Sequence, residues 1–140
     1  MIKAVLFDWG NVLRSKTSWR RSKDIYALAE ELRRHGIKTG ILSNIWQPAA
    51  WVVYLLKDYR GFEPVILSYQ VKVRKPSAKV YQIAIKKLGV DPKEVLFIDN
   101  LEENTLAAQR AGMKVVLVEN TDQVVADVRK ILLKENGLKL

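Results

Sequence analysis

The stretch Lys3-Ala4-Val5-Leu6-Phe7-Asp8-Trp9-Gly10-Asn11-Val12-Leu13 decides how this chain is read. An apolar strand, Lys3–Phe7, delivers one carboxylate, Asp8, into a turn that contains a glycine. A carboxylate at the mouth of an apolar strand loses hydration and is costly without a partner. The roles that keep one there are nucleophile and metal ligand.

Outward from this strand, the sequence alternates between strand and helix patterns. Ser22 is placed to cap a helix over Asp24–Arg34, whose Ile25, Leu28, Ala29 and Leu32 recur at helical spacing, and Gly36 ends it. Strand patterns cover Ile37–Leu42, Pro64–Tyr69, Val95–Ile98 and Val115–Val118. Helices are expected around Pro48–Tyr59, from a Ser77 cap to Leu88, over Glu102–Ala111 and over Gln123–Leu133. Strands joined by helical crossovers imply an α/β fold: a three-layer, Rossmann-like core in which a parallel sheet of about five strands has helices on both faces. We read residues 1–140 as a single domain of this kind, long enough to bury a core.

Composition narrows the chemistry. The chain has no cysteine, which excludes disulfides, thiolate metal sites and a cysteine nucleophile. Its apolar runs are strand-length, short of the ~20 residues a membrane span needs. The N-terminus enters a strand directly with no signal-peptide pattern, so a cytoplasmic location is expected. Net charge is +9, and it is uneven: residues 1–90 hold 17 Lys/Arg against 6 Asp/Glu, residues 91–140 hold 7 against 9. That field favours anionic partners, either small phosphorylated molecules or nucleic acid. The bland alternative is a solvated, solubilising surface.

In parallel sheets of this kind, ligands collect at the carboxyl ends of the strands. At those ends stand Asp8 with Gly10 and Asn11, Ser43 with Asn44, and Asp99 with Asn100, while Lys75 follows the third strand just before a helix. Two carboxylates, a hydroxyl and a lysine suit phosphoryl chemistry. Asp8 and Asp99 are candidate ligands for Mg²⁺, which prefers hard oxygens and offsets the repulsion between anionic nucleophile and phosphate. Ser43, Asn44, Gly10 and Asn11 are candidates to hold phosphate oxygens through side-chain or backbone groups, with Lys75 as a compact positive charge.

Four ordered segments carry a family resemblance: Phe7-Asp8-Trp9-Gly10-Asn11-Val12-Leu13, Ile41-Leu42-Ser43-Asn44, Arg74-Lys75-Pro76, and Phe97-Ile98-Asp99-Asn100 with Asn104, Ala108 and Gly112-Met113. Together they resemble the four motifs of the haloacid dehalogenase-like (HAD) hydrolase superfamily over almost the whole chain. The resemblance implies a Mg²⁺-dependent hydrolase, in most members a phosphatase of phosphate monoesters working through an aspartyl-phosphate. It makes Asp8 the nucleophile and a metal ligand, with the Gly10 carbonyl and Asp99 as further ligands. Ser43 and Asn44 would bind the transferring phosphoryl group, and Lys75 would steady the charge of nucleophile and phosphate. Asn100 and Asn104 would stand behind the ligands.

Three departures from the family pattern bear on function. The aspartate that serves most of its phosphatases as general acid, two residues after the nucleophile, is Gly10 here. Proton transfer contributes about 10²–10⁴-fold, so turnover should be weak. The second acid of the fourth motif is Asn100, which contributes no charge. Only Leu13–Lys23 separates the first motif from the first helix, and residues 45–66 hold one helix, so neither place has room for a cap domain. An open mouth suits a large substrate or closure by another copy in a homo-oligomer. Arg14, Lys16, Arg20, Arg21 and Lys23, with Trp19, lie where a cap would attach and are expected to gather anionic substrate. The alternative function is a degenerate, non-catalytic domain that binds phosphorylated or nucleic-acid ligands; a dehalogenase is a weaker third reading.

The remaining conspicuous residues read as follows. His35 sits at a helix end, where its charge would favour the helix dipole. Trp51, Tyr54 and Leu55 fall on helical spacing and read as core, whereas Trp9 and Trp46 are open between packing and lining the site.

Overall fold

The structure is a computed structural model that describes residues 1–15 and 17–140; Lys16, one of the basic residues singled out above, lies outside the described residues. Five strands form one parallel sheet: β1 (Ala4–Phe7), β2 (Lys38–Ser43), β3 (Val65–Leu67), β4 (Val95–Asp99) and β5 (Lys114–Leu117), in the order β3-β2-β1-β4-β5. The central strand pairs on both sides, with Ala4 opposite Lys38 of β2 and Val95 of β4. All four β1 side chains are fully buried, which explains why the strand is apolar throughout rather than alternating.

Alternation reappears as a choice of core. Val5 and Phe7 of β1 and Leu96 and Ile98 of β4 face one layer, with α1 (Lys23–Arg34), α2 (Gln47–Leu55) and α6 (Thr121–Asn136). Ala4, Leu6, Val95 and Phe97 face the other, against α4 (Ala78–Leu88) and α5 (Glu102–Arg110). The expected three-layer α/β architecture is therefore present. Among the described residues, the loop between β1 and α1 and the single helix α2 form no cap domain between β1 and β3. Gly40 lets β2 sit this close to its neighbours: a Cβ there would lie 2.8 Å from the Pro64 carbonyl oxygen and 2.9 Å from Leu6.

Local chemistry sets most element ends where expected. The Ser22 hydroxyl accepts from the Ile25 N–H, Ile25, Leu28, Ala29 and Leu32 are buried, and Gly36 follows the His35 C-cap at φ +76°. Four expectations are corrected. β3 is shorter than Pro64–Tyr69, because Ser68 turns the chain into a one-turn helix, α3 (Ser68–Val71), by bonding both Ile45 N–H and carbonyl. Ser77 occupies the N-cap position of α4, but its hydroxyl makes no cap bond; its backbone N–H donates to the Arg74 carbonyl and its carbonyl accepts from the Val80 N–H. The closing helix starts earlier, at an Asn120–Gln123 capping box, and ends later, where the Asn136 amide bonds Ile2 N–H and carbonyl at 2.8 and 2.9 Å. Finally, Trp51, Tyr54 and Leu55 are not core: they are 68%, 38% and 81% exposed. α2 is apolar all round, and only Ala50 and Val53 bury fully against the sheet side. No helix among the described residues is long and apolar enough to cross a membrane.

Candidate active site at the carboxyl ends of the strands

Asp8 leaves β1 with its N–H on the Ile98 carbonyl, at 3.0 Å, so the central strand aims the carboxylate beyond the sheet edge. Asp99 ends the neighbouring β4. Between them lies the Lys75 ammonium, 3.1 Å from Asp8 Oδ1 and 2.6 Å from Asp99 Oδ2, which also donates to the Leu42 carbonyl at 2.9 Å. Lys75 is only 2% exposed, and an ammonium that deep needs those three acceptors. Its place is held from β2: the Asn44 amide accepts from Lys75 N–H at 2.8 Å and donates to the Lys75 carbonyl at 2.9 Å.

The carboxylates are anchored in turn. Asp8 Oδ1 accepts from the Trp9 N–H, Asp99 Oδ1 from the Leu101 N–H, and Asp99 Oδ2 from the Asn104 amide at 3.1 Å. Burial pushes the Asp8 carboxyl up to about 6; Lys75 opposes that rise and Asp99 adds to it. Two acids around one lysine thus leave surplus negative charge at the base of an open cleft of about 490 Å³. Asp8, Gly10, Asn11, Ser43, Asn44, Lys75, Asn100 and Asn104 all line that cleft, and Asp99 is buried behind it. Residues from four separate segments therefore converge as the strand-end rule predicts.

A divalent cation matches this donor set. Among the described residues no group of three or more His, Cys, Asp or Glu side chains gathers anywhere, so a metal here must draw on neutral oxygens as well. The Gly10 carbonyl borders the cleft as one such oxygen, and behind it Asn104, whose amide N–H bonds Asp99, keeps a buried Oδ1 with no hydrogen-bond partner among the described residues. Hard oxygens and uncompensated negative charge are what Mg²⁺ selects.

One residue that organises the site had no signal in the sequence. Asp58 is fully buried just beyond α2 and receives the Trp9 indole N–H at 2.7 Å, Arg14 Nη2 at 2.9 Å and Arg21 Nε at 2.7 Å, with Arg14 Nε also on it. Burial alone would raise its pKa, but hydrogen bonds from Arg14, Trp9 and Arg21 outweigh that and hold it below the usual carboxylate range. The helix expected around Pro48–Tyr59 takes in Lys57-Asp58-Tyr59, whereas α2 ends at Leu55, and the sequence assigns Asp58 no role, because its partners lie 32 to 49 residues away. Two readings change as a result. Trp9, 6% exposed, is anchored by its indole and also borders the cleft. Arg14 and Arg21 are bound to Asp58, so neither is free to gather substrate; Arg20 and Lys23 remain exposed.

Comparison with known proteins places the chain in a family. The model of the haloacid dehalogenase-like hydrolase family matches residues 1–118. A glyceraldehyde 3-phosphate phosphatase of Methanopyrus kandleri is 30% identical over 97 residues, 68% of this chain and 42% of that protein. The chain spans less than half the length of the curated relatives it matches. An uncharacterized protein of Corynebacterium glutamicum superposes over 100% of this chain and 98% of its own, with TM-score 0.79 and 21% identity. A HAD family enzyme of Bacteroides thetaiotaomicron, in complex with magnesium and inorganic phosphate, covers 85% of this chain and 95% of its own at TM-score 0.72 and 20% identity. At those identities the two structures establish the fold. With its family match over most of its length, and the four expected segments meeting at one cleft, the chain belongs to the haloacid dehalogenase-like hydrolases.

Proposed function

We propose that this chain is a Mg²⁺-dependent phosphatase of phosphate monoesters that works through an aspartyl-phosphate on Asp8. The observation that carries this reading is the buried Lys75 ammonium set between the Asp8 and Asp99 carboxylates under an open, polar cleft. Phosphatases among the relatives, and a related enzyme holding magnesium and phosphate, support it.

Asp8 Oδ2 has no partner among the described residues and is the oxygen free to attack phosphorus. As the new bond forms, the bond from phosphorus to the leaving oxygen breaks. The leaving oxygen departs with the electron pair of that bond and takes a proton from water. A water molecule then bonds to phosphorus as the bond from phosphorus to the Asp8 oxygen breaks. This releases inorganic phosphate, which retains the protons of that water, and restores the carboxylate. Lys75 offsets charge on Asp8, and Ser43 and the backbone around Gly10 and Asn11 border the phosphoryl position. Asp8, the Gly10 carbonyl and Asp99 would hold Mg²⁺, which when bound neutralises phosphate charge. Asn44 contributes by fixing Lys75, since its amide is engaged on that residue's backbone.

Hydrolysis of 4-nitrophenyl phosphate with magnesium is the test. Turnover should vanish with chelator and in Asp8→Asn. Activity that survives Asp8→Asn refutes the nucleophile, and phosphate binding with no turnover favours the non-catalytic alternative.

A further inference from the structure

Beside the catalytic cleft lies a second cavity of about 410 Å³ that shares Asn44, Ile45, Trp46 and Arg74 with it. Tyr69 and Lys72 supply its outer wall, and no carboxylate lines it. Trp46 is 70% exposed at the start of α2, an expensive place for an indole with nothing upon it. Lys72 closes α3 in the left-handed conformation, φ +59°, and Lys72 and Arg74 are both exposed. Among the described residues neither makes a salt bridge. The walls are nevertheless held in place. Ser68 bonds Ile45 twice, at 2.9 and 3.0 Å, and Asn44 clamps Lys75.

The cleft itself adds a chemical constraint. Its titratable lining residues are Asp8, Arg74 and Lys75, and no second carboxyl or imidazole stands ready to protonate a leaving oxygen. Such a site favours a group that departs as a stable anion. A phenolate takes its proton near pH ~10, whereas an alkoxide resembles hydroxide, whose parent water has a pKa of about 15.7.

We propose that the adjoining cavity receives the leaving group, and that this group is an aromatic ring, joined to phosphate through oxygen and carrying a second negative charge. The inference rests on the phosphatase reading and names its substrate class. Trp46 and Tyr69 meet the ring, while Lys72 and Arg74 meet its anionic substituent. In the first step an Asp8 oxygen bonds to phosphorus as the aryl oxygen leaves with the electron pair of its bond. The phenolate so formed takes a proton from water, and no protein acid is required.

The test is calorimetric binding of three non-hydrolysable phosphonates to the full chain with magnesium, alongside hydrolysis of the matching phosphates. 4-Carboxyphenylphosphonate should bind about fivefold tighter than phenylphosphonate, the value of one or two exposed ion pairs. Phenylphosphonate should bind roughly three- to tenfold tighter than methylphosphonate. Lys72→Glu should erase the first preference and Trp46→Ala the second. Equal binding of all three overturns the proposal, as do preferences that survive both substitutions. If the binding order holds but no phosphate is hydrolysed, the cavity assignment stands and the phosphatase reading falls. If aryl and alkyl phosphates are hydrolysed with equal kcat/KM and binding is flat, the phosphatase reading stands and this one falls.

Discussion

Two clusters of buried charge lie on either side of the Asp8–Trp9 peptide, and they are built in opposite ways. At the strand ends two carboxylates, Asp8 and Asp99, share one lysine, and the surplus is negative. Behind the turn one carboxylate, Asp58, is shared by two arginines, and the surplus is positive. The first opens onto a cleft, and burial pushes its Asp8 carboxyl up to about 6; in the second, hydrogen bonds from Arg14, Trp9 and Arg21 hold the fully buried Asp58 low. Surplus negative charge under an open cleft is ready for a cation, whereas a fully buried carboxylate whose oxygens are all engaged by arginines and an indole stiffens the chain around it. The Trp9 backbone N–H bonds Asp8 and its indole bonds Asp58, so one residue joins the two clusters.

Removing the shared cation should break this contrast most strongly. Lys75→Met leaves two buried acids with no counter-charge, and at neutral pH it should cost about 3–5 kcal/mol in denaturant unfolding. Phosphatase turnover should be lost with it. The corresponding cut in the other cluster, Asp58→Ala, should cost less, about 2–3 kcal/mol. Arg21, with 44% of its side chain exposed, can turn to water, while Arg14 at 11% cannot. If Asp58→Ala also lowers kcat with KM unchanged, and Asp58→Asn restores part of it, Asp58 has a positioning role. An unchanged kcat in Asp58→Ala would separate the two clusters.

Gly10→Asp sharpens the comparison by adding an acid to the cluster that lacks one for proton transfer. A Cβ at Gly10 meets nothing within 4 Å, so the turn has open space where a side chain would begin. Alkyl phosphate hydrolysis should rise about 10²-fold or more, read as kcat at saturating substrate; no gain would mean that protonation does not limit the reaction. The smallest expected effect is on pH dependence. Because Asp58 has a lowered pKa when folded, its contribution to stability is complete above the ordinary carboxylate value and is lost as pH falls through the lowered one. The unfolding midpoint of the wild type should therefore drop more steeply than that of Asp58→Asn between about pH 5 and pH 2. Parallel curves would show that Asp58 gains nothing from its arginines.

Much of this molecule was legible because its signals are local. Val5, Phe7 and Leu96 mark buried strands by composition alone, Ser22 and Gly36 bracket a helix by their own backbone preferences, and Asp8, Ser43 and Asp99 stand at strand ends where a parallel sheet gathers ligands, with Lys75 in the loop before α4. What misled was equally physical. Trp51 and Leu55 keep helical spacing, yet spacing names a face without saying whether another layer covers it. Ser68 sits in a strand-like run, but its hydroxyl finds Ile45 on another strand's exit and bends the chain into α3. Arg14 and Arg21 look like free surface charge until Asp58 arrives from 37 to 44 residues away.

The sequence by itself determined the layered α/β core, the short connections that leave no room for a cap and the set of residues that meets at one cleft, because burial patterns and strand-end chemistry are carried by short segments. The tertiary structure decided which charges share a partner: one lysine between two acids at the cleft, one acid between two arginines behind it. Coulomb energy depends on separation in space and on desolvation, and neither is written in the spacing along a chain.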